Sequence, residues 1–146
     1  MKWANRVTIT ALAKPEEDAN KVKQGILDLV PLEKVPLKES KVQGFNERMI
    51  SKFEIILTKS SDINKFLKSL PLTKEQKEVL LSQAESRLDE RQNFFIRIDK
   101  QPWIDKKKLY LTDSGDCYHI RISLAAFPSK KEVAIKLLKE LLESFL

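Results

Sequence analysis

The sequence predicts an α+β fold, a two-layer sandwich in which helices cover one face of a mixed or antiparallel sheet. Segments that alternate between apolar and polar residues indicate strands with one buried face. Segments with apolar residues at helical spacing indicate helices with one buried stripe. These segments follow in the order β-α-β-β-α-α-β-(β)-β-α, and no linker divides them, so we expect residues 1–146 to form a single domain.

The first part of the chain predicts one helix and three strands, of which two form a hairpin. The predicted strands are Trp3–Ala13, Glu33–Gln43 and Met49–Lys59. Pro15 and the three carboxylates after it are typical of a first helical turn, and Pro31 ends that helix. Pro36 places the second strand at a sheet edge or a bulge, because proline cannot donate a ladder hydrogen bond. Residues 44–47 then connect the hairpin.

Two helices follow the hairpin. Ser60 or Ser61 is expected to cap the first, whose apolar stripe includes Phe66. Thr73 and Gln76 predict a capping box at the start of the second, which continues to about residue 88.

The last third predicts two firm strands, a short one and a final helix. The predicted strands are 94–99, Leu109–Leu111 and Tyr118–Phe127, with a basic loop over 100–108 and a turn at 113–116. Ser129 and Glu132 are expected to form a capping box for the final helix, whose apolar stripe runs to Phe145.

Positive charge is unevenly distributed along the chain. The net charge is +6; the segments that predict helices together carry −3, and the strand and loop segments carry +9. A positive excess on the sheet side favours a surface that binds a polyanion. The alternative is that a basic chain of modest charge gains only solubility.

Several classes of function lack the residues that they need. One Cys and one His on a single strand do not make a metal shell, and three dispersed glycines exclude the usual phosphate-binding loops, so we expect no metal and no cofactor. Cys117 and His119 share a strand face about 7 Å apart, which is too far for a nucleophile and its base. We therefore expect a protein that is not an enzyme. The single Cys favours a cytoplasmic setting, and no apolar run reaches the roughly 18 residues of a membrane span.

The uncovered face of the predicted sheet and the basic loop carry the candidate site. Arg97 and Arg121 on neighbouring strands need anions, acidic side chains or a partner. Phe95 on the same face is unexplained unless something covers it. The candidate contacts to a nucleic acid are Arg6, Lys52, Arg97, Lys100, Gln101, Lys106, Lys107, Lys108 and Arg121, and the candidate stacking residues are Phe95, Trp103 and Tyr118.

The basic loop has an alternative interpretation. Trp103 follows Pro102 and would equally anchor the loop to the core, and the run Lys106 to Lys108 would equally be a solvated loop.

Three short segments carry a resemblance to a known family. Arg97-Ile98-Asp99-Lys100-Gln101, the strand Ile120-Arg121-Ile122-Ser123 and the sequence Phe127-Pro128-Ser129-Lys130 before the last helix resemble an archaeal family described as a predicted RNA-binding exosome subunit. The likeness extends over most of the chain, although Pro102-Trp103 stands where that family has small residues.

The resemblance implies an α+β fold similar to the ribosomal large-subunit protein that holds 5S rRNA. It also implies binding of structured or single-stranded RNA, associated with RNA processing or with exosome or ribosome machinery. A second hypothesis is a protein-interaction module whose open sheet face forms a homodimer or docks a protein partner. Phe95 and the mixed pair Lys52 and Glu54 favour that alternative.

Overall fold

A five-stranded antiparallel sheet in the order β2-β3-β1-β5-β4 organises the molecule. The computed structural model describes residues 2–44 and 48–144. The strands are β1 Ala4–Ala13, β2 Leu37–Gln43, β3 Met49–Leu57, β4 Asn93–Asp99 and β5 Cys117–Leu124. The helices are α1 Ala19–Asp28, α2 Ser60–Ser69, α3 Lys74–Ser82, α4 Ala84–Arg87, α5 Lys100–Lys106 and α6 Lys131–Ser144. The predicted α+β sandwich is confirmed.

One face of the sheet packs on the helices and forms the core. The strand residues with the inward phase are buried, as the alternation predicts: Val7, Ile9 and Ala11 of β1, Phe53, Ile55 and Leu57 of β3, Phe94, Ile96 and Ile98 of β4, and Ile120, Ile122 and Leu124 of β5. The helices contribute buried residues such as Ile26 of α1, Phe66 of α2 and Leu138 of α6. The opposite phase of each strand therefore forms a second face, which we call the open face.

The longest strand, β1, lies in the middle of the sheet between β3 and β5. Pro36 directly precedes β2, which is an edge strand and pairs with β3 as the predicted hairpin. The predicted connection through Phe45, Asn46 and Glu47 lies outside the described residues, as does Phe145 at the end of the last apolar stripe.

Three helices begin at positions other than those their sequence signals indicate: α1 and α6 begin later, and α2 begins earlier. The residues from Lys14 to Glu17 form a separate turn, and the Asp18 carboxylate caps α1 by accepting from the Asn20 amide at 3.0 Å. Neither Ser60 nor Ser61 caps α2, since the helix already includes both and its N-cap is Lys59. The first helical residue of α6 is Lys131, two residues beyond the predicted cap Ser129.

The helix predicted to continue to residue 88 is two helices. Thr73 and Gln76 form the predicted capping box at the start of α3, with reciprocal bonds of 2.9 and 3.1 Å. The helical backbone is interrupted at Gln83, and α4 follows as a single turn. Within residues 2–44 and 48–144, no helix combines the length and the apolar character needed to cross a bilayer.

The segment predicted as a basic loop folds as the helix α5. Pro102 is its third residue, where the missing amide hydrogen costs nothing because the first turn has no internal acceptors. Lys107 ends the helix in the left-handed conformation, with a φ of 53°. The short strand predicted after it is a single bridge between Leu111 and Ile98, which covers part of the outer edge of β4.

Candidate nucleic-acid interface

The strand register places the polar residues of the open face in two neighbouring rows across β1, β5 and β4. One row is Thr10, His119 and Arg97, and the next is Thr8, Arg121 and Phe95. Arg97 and Arg121 therefore lie on adjacent strands at diagonal positions, both half-buried. Both arginines lie on the same face of the sheet, as the sequence predicts.

His119 lies between the two arginines. Its ring centroid is 5.4 Å from that of Phe95, so the phenyl ring is partly covered by the imidazole. Burial, and then the charges of Arg97 and Arg121, lower the pKa of His119 below its ordinary value. The imidazole is thus neutral near pH 7, and the positive charge of the rows comes from the guanidinium groups.

Arg121 has one nitrogen that is poorly satisfied. Its Nε is buried and has no hydrogen-bond partner among the residues that the structure describes. Thr8, beside it on β1, is only 6% exposed, and its hydroxyl also lacks a described partner. An unpaired polar atom is costly to bury, so these two residues mark a place where the open face has unused hydrogen-bonding capacity.

Ion pairs separate the arginines of the chain into two groups. Arg48 pairs with Glu16, and Arg87 is buried and pairs with Asp113 at 3.1 Å. The remaining four make no ion pair within residues 2–44 and 48–144, and they are Arg6, Arg91, Arg97 and Arg121.

A cleft at one end of the open face brings three of these four arginines together. It has a volume of about 420 Å³ and is lined by Asn5, Arg6, Thr58, Arg91, Asn93, Arg121 and Ser123; we call it the arginine cleft. Arg6 belongs to β1, Arg121 to β5, and Arg91 to the turn before β4. The sequence gives no periodic signal for Arg91, because a turn residue is placed only by the strands around it.

The predicted lysine contacts are divided by the fold. Lys100 is 1% exposed, and its Nζ donates to the Leu12 carbonyl oxygen at 2.6 Å and to both Glu17 carboxylate oxygens at 3.2 Å. The Asp116 carboxylate lies 3.9 Å from the same Nζ. This ammonium is therefore committed to an internal network and is not free to contact a phosphate.

The other basic residues of α5 lie with the helix layer. Trp103 is 5% exposed and donates from Nε1 to the Gly25 carbonyl oxygen of α1 at 2.8 Å, so it anchors α5 to the core. Lys107 pairs with Asp28 of α1 at 3.1 Å. Gln101, Lys106 and Lys108 are exposed on this helix or directly after it. The structure thus separates these residues from Arg97 and Arg121 rather than forming one basic surface.

Two further candidates have contrasting positions. Tyr118 is fully buried on the helix side, where its hydroxyl donates to the Val22 carbonyl oxygen at 3.0 Å. Burial, and then the charges of Asp28 and Glu17, raise the pKa of its phenol well above the ordinary value. A base therefore has no access to this ring. Lys52 does lie on the open face, but on β3, with its Nζ 3.8 Å from Glu54.

Cys117 has no sign of activation. Burial raises the pKa of its thiol, although the charges of Arg97 and Lys100 act in the opposite direction. Thiols are nucleophilic as thiolates, so this one is poorly suited to covalent chemistry near pH 7. Within the described ranges, no group of three or more His, Cys, Asp or Glu side chains is placed to hold a metal ion.

Comparisons with known proteins point to one family. A family model described as RNA binding matches residues 6–124. The RNA-binding protein PAB1135 of Pyrococcus abyssi is 32% identical over 147 residues, covering 96% of this chain and 94% of that protein.

Solved structures share the fold. The crystal structure of protein AF2318 from Archaeoglobus fulgidus has a TM-score of 0.85 and 37% identity, with 94% of this chain and 99% of that one covered. Mth689 from Methanothermobacter thermautotrophicus has a TM-score of 0.77 at 22% identity, with coverages of 96% and 98%, and so shows the fold alone.

Proposed function

Because the chain belongs to the RNA-binding family whose model matches residues 6–124, we propose that it binds RNA through the open face of its sheet, without catalysing a reaction. Arg97 and Arg121 supply the central phosphate contacts, and Arg6 extends them along β1. The observation that carries the proposal is the division of the arginines: Arg48 and Arg87 are ion-paired, whereas Arg6, Arg97 and Arg121 of the open face make no ion pair with any residue that the structure describes.

Unpaired guanidinium groups suit the phosphate backbone of RNA. Each presents a planar set of donors that matches phosphate oxygens, and arginine gives up its hydration more readily than lysine. Arg97 and Arg121 are held on paired strands, so little conformational freedom is lost when they bind. Phe95, on the same row as Arg121, presents an aromatic ring on the open face and can stack against an exposed base.

Removing both central arginines tests the proposal. The double variant Arg97→Gln/Arg121→Gln is expected to bind a single-stranded RNA at least about tenfold more weakly than the parent. The plot of log affinity against log salt concentration should also become shallower by about 1.4, because each arginine that no longer neutralises a phosphate reduces the slope by about 0.7. The matched control is Lys65→Gln/Lys68→Gln, which removes two exposed charges from α2 on the helix layer. If both double variants lose the same affinity, RNA responds to net charge and the open face is not the site.

A second candidate function is docking of a protein on the same face. Leu12 and Ile56 are 44% and 41% exposed, and both have the strand phase of the open face. Light scattering across a range of protein concentrations separates the two candidates. A tight dimer that RNA does not dissociate supports docking, whereas a monomer that binds RNA supports the proposed function.

The more specific part of the proposal is a role in RNA processing, in association with the exosome or the ribosome. It rests on the resemblance of residues 97–101, 120–123 and 127–130 to the archaeal family. Purification of the native protein under gentle salt, followed by sequencing of bound RNA and identification of attached proteins, tests it. Recovery of RNA precursors with exosome or ribosomal subunits is the expected outcome, and recovery of random RNA alone contradicts it.

A further inference from the structure

We infer that the arginine cleft is a subsite for one phosphate group of the bound RNA and that Phe127 stacks on a base beside it. The inference rests on the proposed function, and it adds two residues, Arg91 and Phe127, that lie outside the rows of Arg97 and Arg121.

The cleft has the composition of an anion site. Its charged lining residues are Arg6, Arg91 and Arg121, and the other four, Asn5, Thr58, Asn93 and Ser123, are neutral and polar. Among the described residues, no carboxylate lines it. Three guanidinium groups around one open space repel each other unless an anion joins them, and a phosphate oxygen accepts hydrogen bonds from several at once.

The turn that carries Arg91 is held in place by Asp89. One oxygen of this carboxylate accepts from the backbone amides of Arg91 and Asn93 at 2.9 Å each, and the other accepts from the Asn93 side chain at 2.9 Å. Burial alone would raise the pKa of Asp89, but these hydrogen bonds and the charge of Arg121 bring it below the ordinary value. The carboxylate is therefore ionised near neutral pH. Its single negative charge offsets one of the three guanidinium charges of the cleft, and two positive charges remain.

Two more contacts fix the turn to the sheet. Ser123 donates from Oγ to the Asn93 side-chain oxygen at 2.6 Å, and the Gln92 carbonyl oxygen accepts from the Leu124 amide at 3.1 Å. Gln92 itself has a φ of 63°, in the left-handed region that residues other than glycine adopt less often. The hydrogen bonds around it hold it in this conformation. Arg91 is thus presented from a preorganised backbone, while its own side chain is exposed.

Phe127 lies close to the same end of the sheet. It is 95% exposed, the most exposed of the large hydrophobic residues described, and it follows β5 by three residues. The Ala125 amide donates to the Trp3 carbonyl oxygen at 2.9 Å, which keeps the chain beside the start of β1. Phe127 follows Ser123 of the cleft lining by four positions, so their Cα atoms are at most roughly 14 Å apart. This distance allows one RNA strand to reach both.

The cleft is open to solvent, so an RNA strand can pass through it. A phosphate held there can be an internal phosphodiester or a terminal phosphate of the RNA, since both offer anionic non-bridging oxygens to the three arginines. Stacking on Phe127 tolerates any base, because every base has a π face.

The experiment compares Arg91→Gln and Phe127→Ser with the control Lys68→Gln on a 12-nucleotide single-stranded RNA, made with and without a 5′ phosphate. Arg91→Gln should weaken binding about fivefold and reduce the salt slope by about 0.7, as expected when one phosphate is no longer neutralised. Phe127→Ser should weaken binding about tenfold with an unchanged salt slope, because stacking releases no counterions. The control should match the parent.

The pattern of results separates the possible failures. If the parent does not bind the RNA, the proposed function fails. If the parent binds and Arg91→Gln matches it in affinity and salt slope, the phosphate subsite is wrong; if Phe127→Ser matches it, the stacking contact is wrong. A fivefold loss that requires the 5′ phosphate identifies a terminal phosphate as the occupant, and the same loss with both RNAs identifies an internal phosphodiester.

Discussion

The Lys100 ammonium lies 3.2 Å from both carboxylate oxygens of Glu17, at a junction of three segments. Lys100 is the first residue of α5, and Glu17 belongs to the turn before α1. The same ammonium donates to the Leu12 carbonyl oxygen near the end of β1. With side-chain exposures of 2% and 15%, this is an internal ion pair that joins the sheet to two helices.

Lys100→Met is expected to lower the free energy of unfolding by about 3 kcal/mol, because it leaves the Glu17 carboxylate partly buried without its counterion. Urea denaturation followed by circular dichroism measures the change. Lys106→Met, an exposed position on the same helix, should stay within about 0.5 kcal/mol of the parent. RNA affinity of the folded Lys100→Met protein should equal that of the parent. A selective loss of RNA binding would show instead that Lys100 contacts the RNA.

Gly25→Ala is expected to destabilise the protein by about 1–3 kcal/mol, although alanine normally favours a helix. A Cβ at position 25 would lie 2.0 Å from the Tyr118 hydroxyl oxygen and 2.8 Å from the ring carbon that bears it. The fully buried tyrosine has no room to retreat. Thermal denaturation should show the loss, whereas Lys21→Ala on the exposed side of α1 should not destabilise. An unchanged or raised melting temperature for Gly25→Ala would contradict this packing.

RNA binding is expected to strengthen as the pH falls from about 7.5 to about 5.5. In the free protein, burial and the charges of Arg97 and Arg121 keep the pKa of His119 low. Its other neighbours on the open face are Thr10, Phe95 and Cys117, with Lys100 and Asp116 at the adjoining cleft. A phosphate near the arginines offsets their charge and raises the pKa of His119, so binding takes up a proton. Fluorescence anisotropy across this range should show the trend in the parent and its loss in His119→Gln.

Asp89→Ala is expected to lower the free energy of unfolding by about 1–2 kcal/mol at pH 7, since the variant cannot accept the three hydrogen bonds that the carboxylate receives. The pKa of Asp89 is lower in the folded state than in the unfolded state. The stability that its carboxylate contributes is therefore fully present above the unfolded-state pKa, and it is lost as the pH falls through the folded-state pKa. Urea denaturation at successive pH values should therefore show the parent and the variant converging below about pH 4. A constant difference down to the acid limit would exclude the ionised carboxylate as the cause.

The alternation of apolar and polar residues was sufficient to predict most of the sheet. Phe53 and Ile55 are buried and Glu54 between them belongs to the open face, because a strand turns successive side chains to opposite sides. The same rule assigns Tyr118 to the phase of Ile120, so its burial could have been predicted from the strand pattern. The capping box of Thr73 and Gln76 was equally predictable, because its bonds are local.

The elements that the sequence did not predict depend on distant contacts. The lysine run after Trp103 has the composition of a loop, yet α5 forms because Trp103 and Lys100 find partners in α1 and its preceding turn. The arginine cleft is a similar case. Arg6, Arg91 and Arg121 are distant in sequence, and only the pairing of β1 with β5 and of β5 with β4 brings them together.

The central position of β1 also constrains how the chain can fold. Ile9 pairs with Ile120, about 110 residues later, and this contact lies in the middle of the sheet rather than at an edge. The β2–β3 hairpin can form early because it joins nearby residues, and the β1–β3 partners are closer in the chain than the β1–β5 partners, so β1 keeps one open edge until β5 arrives. Closing so long a loop is entropically costly before any contact rewards it, so folding is expected on a scale of milliseconds to seconds. During that interval, the unpaired edge of β1 is the part of the chain most exposed to association with other strands.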